Sequence, residues 1–277
     1  MPEPTIAFIG AGNMGQALIH GLIQSGYKAE YIIAADPVEE HRSKLEQDYQ
    51  IRTSTENKHA CLAANVVVLA VKPQQVQAVL SDLTTSLAER KPLLMSIAAG
   101  ISTESIYRLL QNPAIGVVRC MPNTPALVQS GASALFASSN TDHTQRVMAE
   151  SIMRSVGTCI WLENESLMDV ATAVSGSGPA YFFLLMEALI DAGVKLGLDR
   201  EQAYQLCLQT AYGSAKLAIN EGIEASELRR RVTSPGGTTE AAIAVLQTHH
   251  FQAILEQAVV AAEKRSQELS QMFGEQQ

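Results

Sequence analysis

Thr5-Ile6-Ala7-Phe8-Ile9-Gly10-Ala11-Gly12-Asn13-Met14-Gly15 is a short apolar run ending in a G-x-G-x-x-G hexamer. An amphipathic helix pattern follows through Ser25, and Ile32-Ile33-Ala34-Ala35 reads as a second strand ending at Asp36. The hexamer alone is a weak signal, but a strand before it and a helix after it are the context it requires. Asp36 lies 21 positions beyond Gly15, close to the spacing at which a carboxylate meets a ribose. In this reading Gly10, Gly12 and Gly15 make the tight turn and the close backbone approach. Asn13 and Met14 then open the helix whose N-terminus faces a pyrophosphate. The stretch predicts a dinucleotide-binding first domain; the bland alternative is a chance glycine-rich turn.

Working outward, Ile51–Thr53, Val66–Ala70, Leu93–Ile97, Ile115–Arg119, Ala132–Phe136 and Thr158–Trp161 read as further strands, with helical patterns between most of them. Apolar strands alternating with helices predict a mostly parallel, doubly wound sheet of the Rossmann type. Ligands of such sheets lie beyond the strand C-termini, which singles out three loops. They are Ala70-Val71-Lys72-Pro73-Gln74, Ala98-Ala99-Gly100 and Met121-Pro122-Asn123-Thr124-Pro125.

Strand signals stop after about Glu163, so the first domain is expected over 1–163 and an all-helical domain over 164–277. Pro179–Lys195 reads as one helix. Asp199, with Gln202 three positions on, caps another that Gly222 closes. Glu224–Val232, Thr238–His249 and Phe251–Phe273 complete the half. Leu184–Leu189 is apolar on more than one face, which predicts burial against a second copy of the chain.

Composition narrows the class. The 277 residues are 47% hydrophobic and 17% charged, enough for two domains. A net charge of −8 argues against a nucleic-acid partner. Cys61, Cys120, Cys159 and Cys207 are widely spaced with no C-x-x-C pair, as expected of reduced cytosolic thiols. Met1-Pro2-Glu3-Pro4 leads straight into a strand pattern, so a signal peptide is not expected. Tyr181–Met186 is halted by Glu187, so no apolar run of membrane-spanning length is expected. The expectation is a soluble, cytoplasmic protein with no membrane or metal partner.

No histidine falls in a loop just after a first-half strand, and Lys195 near its helix end has an ordinary dipole role. What remains are two hydroxyl-bearing loops that open helices. One is Ser175-Gly176-Ser177-Gly178-Pro179. The other is Thr233-Ser234-Pro235-Gly236-Gly237-Thr238-Thr239. Each aims N–H and O–H donors at a small anion. A site without a strong base suits reduction of an imine better than oxidation of an alcohol.

Gly10–Gly15, Ala70–Gln74, Arg119-Cys120-Met121-Pro122-Asn123-Thr124-Pro125, Ser175–Tyr181 and Thr233–Thr239 together resemble the pyrroline-5-carboxylate reductase family, from about Ile6 to Phe273. The resemblance implies that NAD(P)H reduces 1-pyrroline-5-carboxylate to L-proline. It implies that Ser175, Ser234, Gly236, Gly237, Thr238 and Thr239 bind the substrate, with Thr238 near the ring nitrogen as a proton relay. The cofactor would be lined by Ala70, Val71, Lys72, Pro73, Ala98, Ala99, Gly100, Asn123 and Pro125, with Asn57 at its ribose. Family members are dimers through the helical domain, often rings of dimers. Asp36 favours the ribose diol of NADH, whereas His41 and Arg42 stand ready for the 2′-phosphate of NADPH; the preference stays open. Two other readings are a 3-hydroxyacid dehydrogenase, whose second-domain lysine is absent before Lys195, and a non-catalytic dinucleotide sensor.

Overall fold

A computed structural model describes residues 3–111 and 114–275, with side chains described as far as Met272. Met1 and Pro2, part of the expected leaderless N-terminus, lie outside the described residues. The chain packs as two compact units, Met1–Ser177 with Ala262–Gln277, and Gly178–Ala261. The expected division at 163/164 follows the end of the strands. The packing division lies further on, because Met168 is fully buried in the first unit and Ser266 Oγ donates to Asp169 Oδ1 at 2.6 Å.

In the first unit β1 (Ile6–Ile9), β2 (Ile32–Ala35), β3 (Arg52–Ser54), β4 (Val66–Leu69), β5 (Leu93–Ser96), β6 (Val117–Met121), β7 (Gly131–Ala137) and β8 (Gly157–Trp161) form one sheet. The order is β3-β2-β1-β4-β5-β6-β7-β8. β1 to β6 are mutually parallel, β7 is antiparallel to β6, and β8 is parallel to β7. The helices α1 (Asn13–Gln24), α2 (Glu39–Tyr49), α3 (Asn57–Ala63), α4 (Val76–Arg90), α5 (Thr103–Leu110) and α6 (His143–Arg154) supply the connections. Alternate strand residues explain the two apolar layers. Ile6, Phe8, Val66 and Val68 pack in one cluster with Leu18, Ile19 and Leu22 of α1. Ala7, Ile9, Val67 and Leu69 pack in the other with Leu80, Leu83 and Leu87 of α4. Truncating any of these buried leucines to alanine costs about 2–5 kcal/mol.

Strand order reverses around β1, which has β2 on one side and β4 on the other. The crevice at that reversal opens at the strand C-termini, where Gly10 and Ala70 follow β1 and β4. The sequence therefore placed the glycine loop at the switch point of the sheet.

Beyond β8, α7 (Leu167–Ala171) continues through a wide π-helical turn, Thr172–Gly176, toward α8 (Gly178–Lys195). Taken as one run, Leu167–Lys195 spans 29 residues and contains an 18-residue stretch of mean hydropathy 1.3, long and apolar enough by those measures to cross a membrane. This corrects the expectation that no such run exists: the helix passes through Ser175–Pro179, where the glycines and proline suggested a break. In the second unit α8 is followed by α9 (Arg200–Glu221), α10 (Ala225–Arg231), α11 (Thr238–Thr248) and the first turns of α12 (Phe251–Glu275). Asp199 caps α9 as expected, accepting from Gln202 N–H at 2.8 Å while Gln202 Oε1 accepts from Asp199 N–H. Phe182, Phe183 and Leu184 on α8 are each more than 60% exposed.

Candidate active site

The glycine loop is built by contacts that exclude side chains. Gly10 follows β1 with φ +97°, and a Cβ there would stand 2.7 Å from the Ala70 carbonyl oxygen. A Cβ on Gly15 would stand 2.7 Å from the Gly10 carbonyl oxygen. Gly12, by contrast, faces open space and is the N-cap of α1 with no side-chain cap. The first N–H groups of α1, at Asn13 and Met14, are therefore left for an anion, aided by the helix dipole. These residues fit a dinucleotide pyrophosphate.

Asp36 ends β2 and is 6% exposed. Its Oδ2 accepts the Ala11 N–H at 2.6 Å, and its Oδ1 accepts the Val38 N–H at 2.8 Å. His41 Nδ1 lies 3.2 Å from the same Oδ1, and Arg42 donates through Nη1 to the Asp36 carbonyl at 2.7 Å. Much of the carboxylate is thus engaged by the glycine loop and by the turn into α2. Arg42 reaches back to the end of β2.

The other expected cofactor residues cluster at the same strand ends. Ala70 donates its N–H to Ile9 O at 2.8 Å, holding the loop after β4 beside Gly10. Val71 is partly buried, while Lys72 is exposed and precedes the short turn Pro73–Gln75. Asn57 opens α3 after β3. Ala98 is buried, and Ala99 and Gly100 line a cavity of about 270 Å³ with Thr172, Ser177 and Arg265. Pro125 lies in the short helix Thr124–Val128 that follows β6. Asn123 is 9% exposed and spans two backbones: its Oδ1 accepts the Ala132 N–H at 2.9 Å and its Nδ2 donates to Ser175 O at 3.0 Å. Ser175, expected to bind substrate, turns its hydroxyl onto Ala171 O at 2.8 Å. A separate cleft of about 590 Å³, lined by Glu3, Tyr27, Glu150 and Arg154 among others, includes none of the expected site residues.

In the second unit the Ser234–Thr239 turn leads into α11. Gly236 takes φ +71°, and Gly237 is the N-cap without a side-chain cap. The Gly237 N–H bonds to Ser234 O at 3.0 Å, and the Gly236 N–H bonds to Glu240 Oε2 at 2.7 Å. The N–H groups of Thr238 and Thr239, in the first turn of α11, have no helical acceptor. Beside them Thr233 and Glu240 line a cleft of about 530 Å³ with Glu227, Arg229 and Arg230. Hydrogen bonds from Arg230 and Arg231 hold the Glu227 carboxyl below its ordinary range. Glu240 was missed from sequence, although its i+4 spacing from Gly236 was there to read.

The comparisons with known proteins agree with this geometry. Residues 165–269 match a family model described as pyrroline-5-carboxylate reductase dimerisation, and residues 5–100 match one described as NADP oxidoreductase coenzyme F420-dependent. A pyrroline-5-carboxylate reductase of Pseudomonas aeruginosa is 50% identical over 275 residues, 99% of this chain and 100% of that one. A solved pyrroline-5-carboxylate reductase from Coxiella burnetii shares 42% identity, with a TM-score of 0.94 over 97% of this chain and 99% of its own. One from Plasmodium falciparum, solved with NADP bound, shares 31% identity, with a TM-score of 0.85 over 98% and 99%. With a glycine cradle in one unit, an uncapped hydroxyl-rich turn in the other and full-length likeness on this scale, the chain belongs to the pyrroline-5-carboxylate reductase family.

Proposed function

We propose that this chain reduces 1-pyrroline-5-carboxylate to L-proline. A bound nicotinamide cofactor supplies the hydride, which goes to the imine carbon while the ring nitrogen carries a proton. The Thr238 and Thr239 N–H groups and hydroxyls bind the substrate carboxylate, with Ser234 and Gly237 of the same turn beside it. The Thr238 hydroxyl serves the ring nitrogen. The observation that carries this reading is the start of α11, which has no side-chain cap, is preceded by two glycines and follows Ser234 and Pro235. Such an N-terminus stabilises a carboxylate through N–H donors and dipole together.

Both nicotinamide cofactors are proposed to bind, NADPH being the preferred one. Asp36 spends its carboxylate on Ala11 and Val38, which reduces its repulsion of a 2′-phosphate, and Arg42 lies at the same strand end. The exposed apolar face of α8 supports a homodimer through the helical unit. Rings of dimers are the proposed higher assembly. Cytoplasmic residence, without a membrane or nucleic-acid partner, is proposed on the four unpaired cysteines and the acidic charge.

The test mixes purified protein with 1-pyrroline-5-carboxylate and follows loss of absorbance from NADPH and NADH separately. Oxidation with proline formed is the expected result, faster with NADPH. Tight cofactor binding with no oxidation from either would overturn the reading in favour of a sensor.

A further inference from the structure

Asn123 is expected by resemblance to line the nicotinamide pocket, yet its amide is committed elsewhere. Its two partners fix its orientation, since the Ala132 N–H requires an acceptor and the Ser175 carbonyl requires a donor. In a helix the Ser175 carbonyl would accept from the N–H four residues on. That residue is Pro179, which has none. The carbonyl also falls within the π-helical turn Thr172–Gly176, a kind of distortion concentrated at functional sites.

We propose that Asn123 is a positioning residue that supplies the donor Pro179 withholds from Ser175, fixing the Thr172–Gly176 turn against the end of β6. The turn then has a defined place beside the post-β5 loop, and Thr172, Ser177, Ala99 and Gly100 share one cavity. Asn123 thereby sets the wall of the hydride-transfer site without touching the cofactor. The proposal rests on the reductase reading.

Wild-type turnover is measured first, and its absence would overturn that reading rather than the role of Asn123. Asn123→Ala is then compared with wild type. The expected result is a fall in kcat of roughly 10- to 100-fold, the scale of a 1 Å misplacement, with the NADPH dissociation constant nearly unchanged. Asn123→Asp keeps an acceptor for Ala132 but cannot donate when ionised, so it should lose as much at neutral pH. Pro179→Ala returns an N–H to the helix, and in the Asn123→Ala background it should recover most of the lost kcat. Loss of NADPH affinity in proportion to kcat would make Asn123 a direct cofactor contact and overturn the proposal. So would a doubly substituted protein no better than Asn123→Ala. Should Asn123→Ala fail to fold, Asn123→Asp with and without Pro179→Ala gives the same comparison.

Discussion

Asp36→Asn separates two roles that a carboxylate at the end of β2 can play. If it reads the ribose diol, its loss weakens NADH and spares NADPH. The structure instead gives the carboxylate to two backbone N–H groups, Ala11 at 2.6 Å and Val38 at 2.8 Å, in a site only 6% exposed. Asparagine offers one acceptor oxygen and must turn its NH₂ toward the other N–H. The change removes one charge-assisted hydrogen bond, about 1.5–3 kcal/mol, and leaves a buried donor without a partner. For a unit of this size each kcal/mol moves Tm by about 2–4 °C. The expected outcome is a drop in Tm of roughly 5–10 °C for the free protein, read by calorimetry. Because Ala11 is the second residue of the glycine loop, NADPH and NADH should both weaken by about tenfold, the effect of about 1.4 kcal/mol. Fluorescence titration with each cofactor measures this. An unchanged Tm with NADH alone weakened would refute the loop-anchoring argument and restore the ribose role.

Three other substitutions test separate parts of the molecule. Glu165→Ala removes the acceptor of the Thr103 N–H at 2.8 Å and the partner of the largely buried Arg119 at 3.3 Å, so urea unfolding should show a loss of about 2–4 kcal/mol, with Glu165→Gln losing less. Burial, with Glu3 and Tyr31 adding, pushes the Tyr27 phenol up to about 12 from an unfolded value near 10. Its contribution is therefore complete below pH 10 and is lost as pH rises toward 12, and Tyr27→Phe should flatten that part of a stability-versus-pH curve. Thr238→Ala should lower kcat by roughly 10²-fold or more while leaving NADPH affinity intact; equal losses in both would make the residue structural.

The sheet was legible because its strands are short runs buried on both faces, as Val66–Leu69 and Leu93–Ser96 show. The glycine loop was legible for a related reason: no other residue fits at Gly10 or Gly15. The reversal of β7 was not, because strand direction depends on the path of Pro122–Ser130 and leaves no periodicity in Gly131–Ala137. Nor was the continuity of Leu167–Lys195. Ser175-Gly176-Ser177-Gly178-Pro179 has a loop composition, and the Asn123 amide from another strand end donates to the Ser175 carbonyl, which Pro179 leaves without an N–H four residues on. The partners of Asp36 escaped the sequence likewise, since a residue type and a spacing do not reveal which oxygen is already taken.

The glycine loop and the Ser234–Thr239 turn share a feature that bears on the proposed ligand contacts. In each, a carboxylate of the chain itself occupies one backbone N–H: Asp36 takes Ala11, and Glu240 takes Gly236. An occupied N–H cannot also bind a ligand oxygen of like charge without displacing its carboxylate. The free donors then decide the geometry. In the glycine loop they are at Asn13 and Met14, one step into α1 from the open face of Gly12. In the Ser234–Thr239 turn they are the first-turn N–H groups of Thr238 and Thr239, while the Gly236 N–H is engaged by Glu240. Gly236 also supplies the left-handed turn, φ +71°, that carries the chain into α11. Each carboxylate also repels an anion placed too deep, so the same contact that orders the loop limits how far the ligand can enter it.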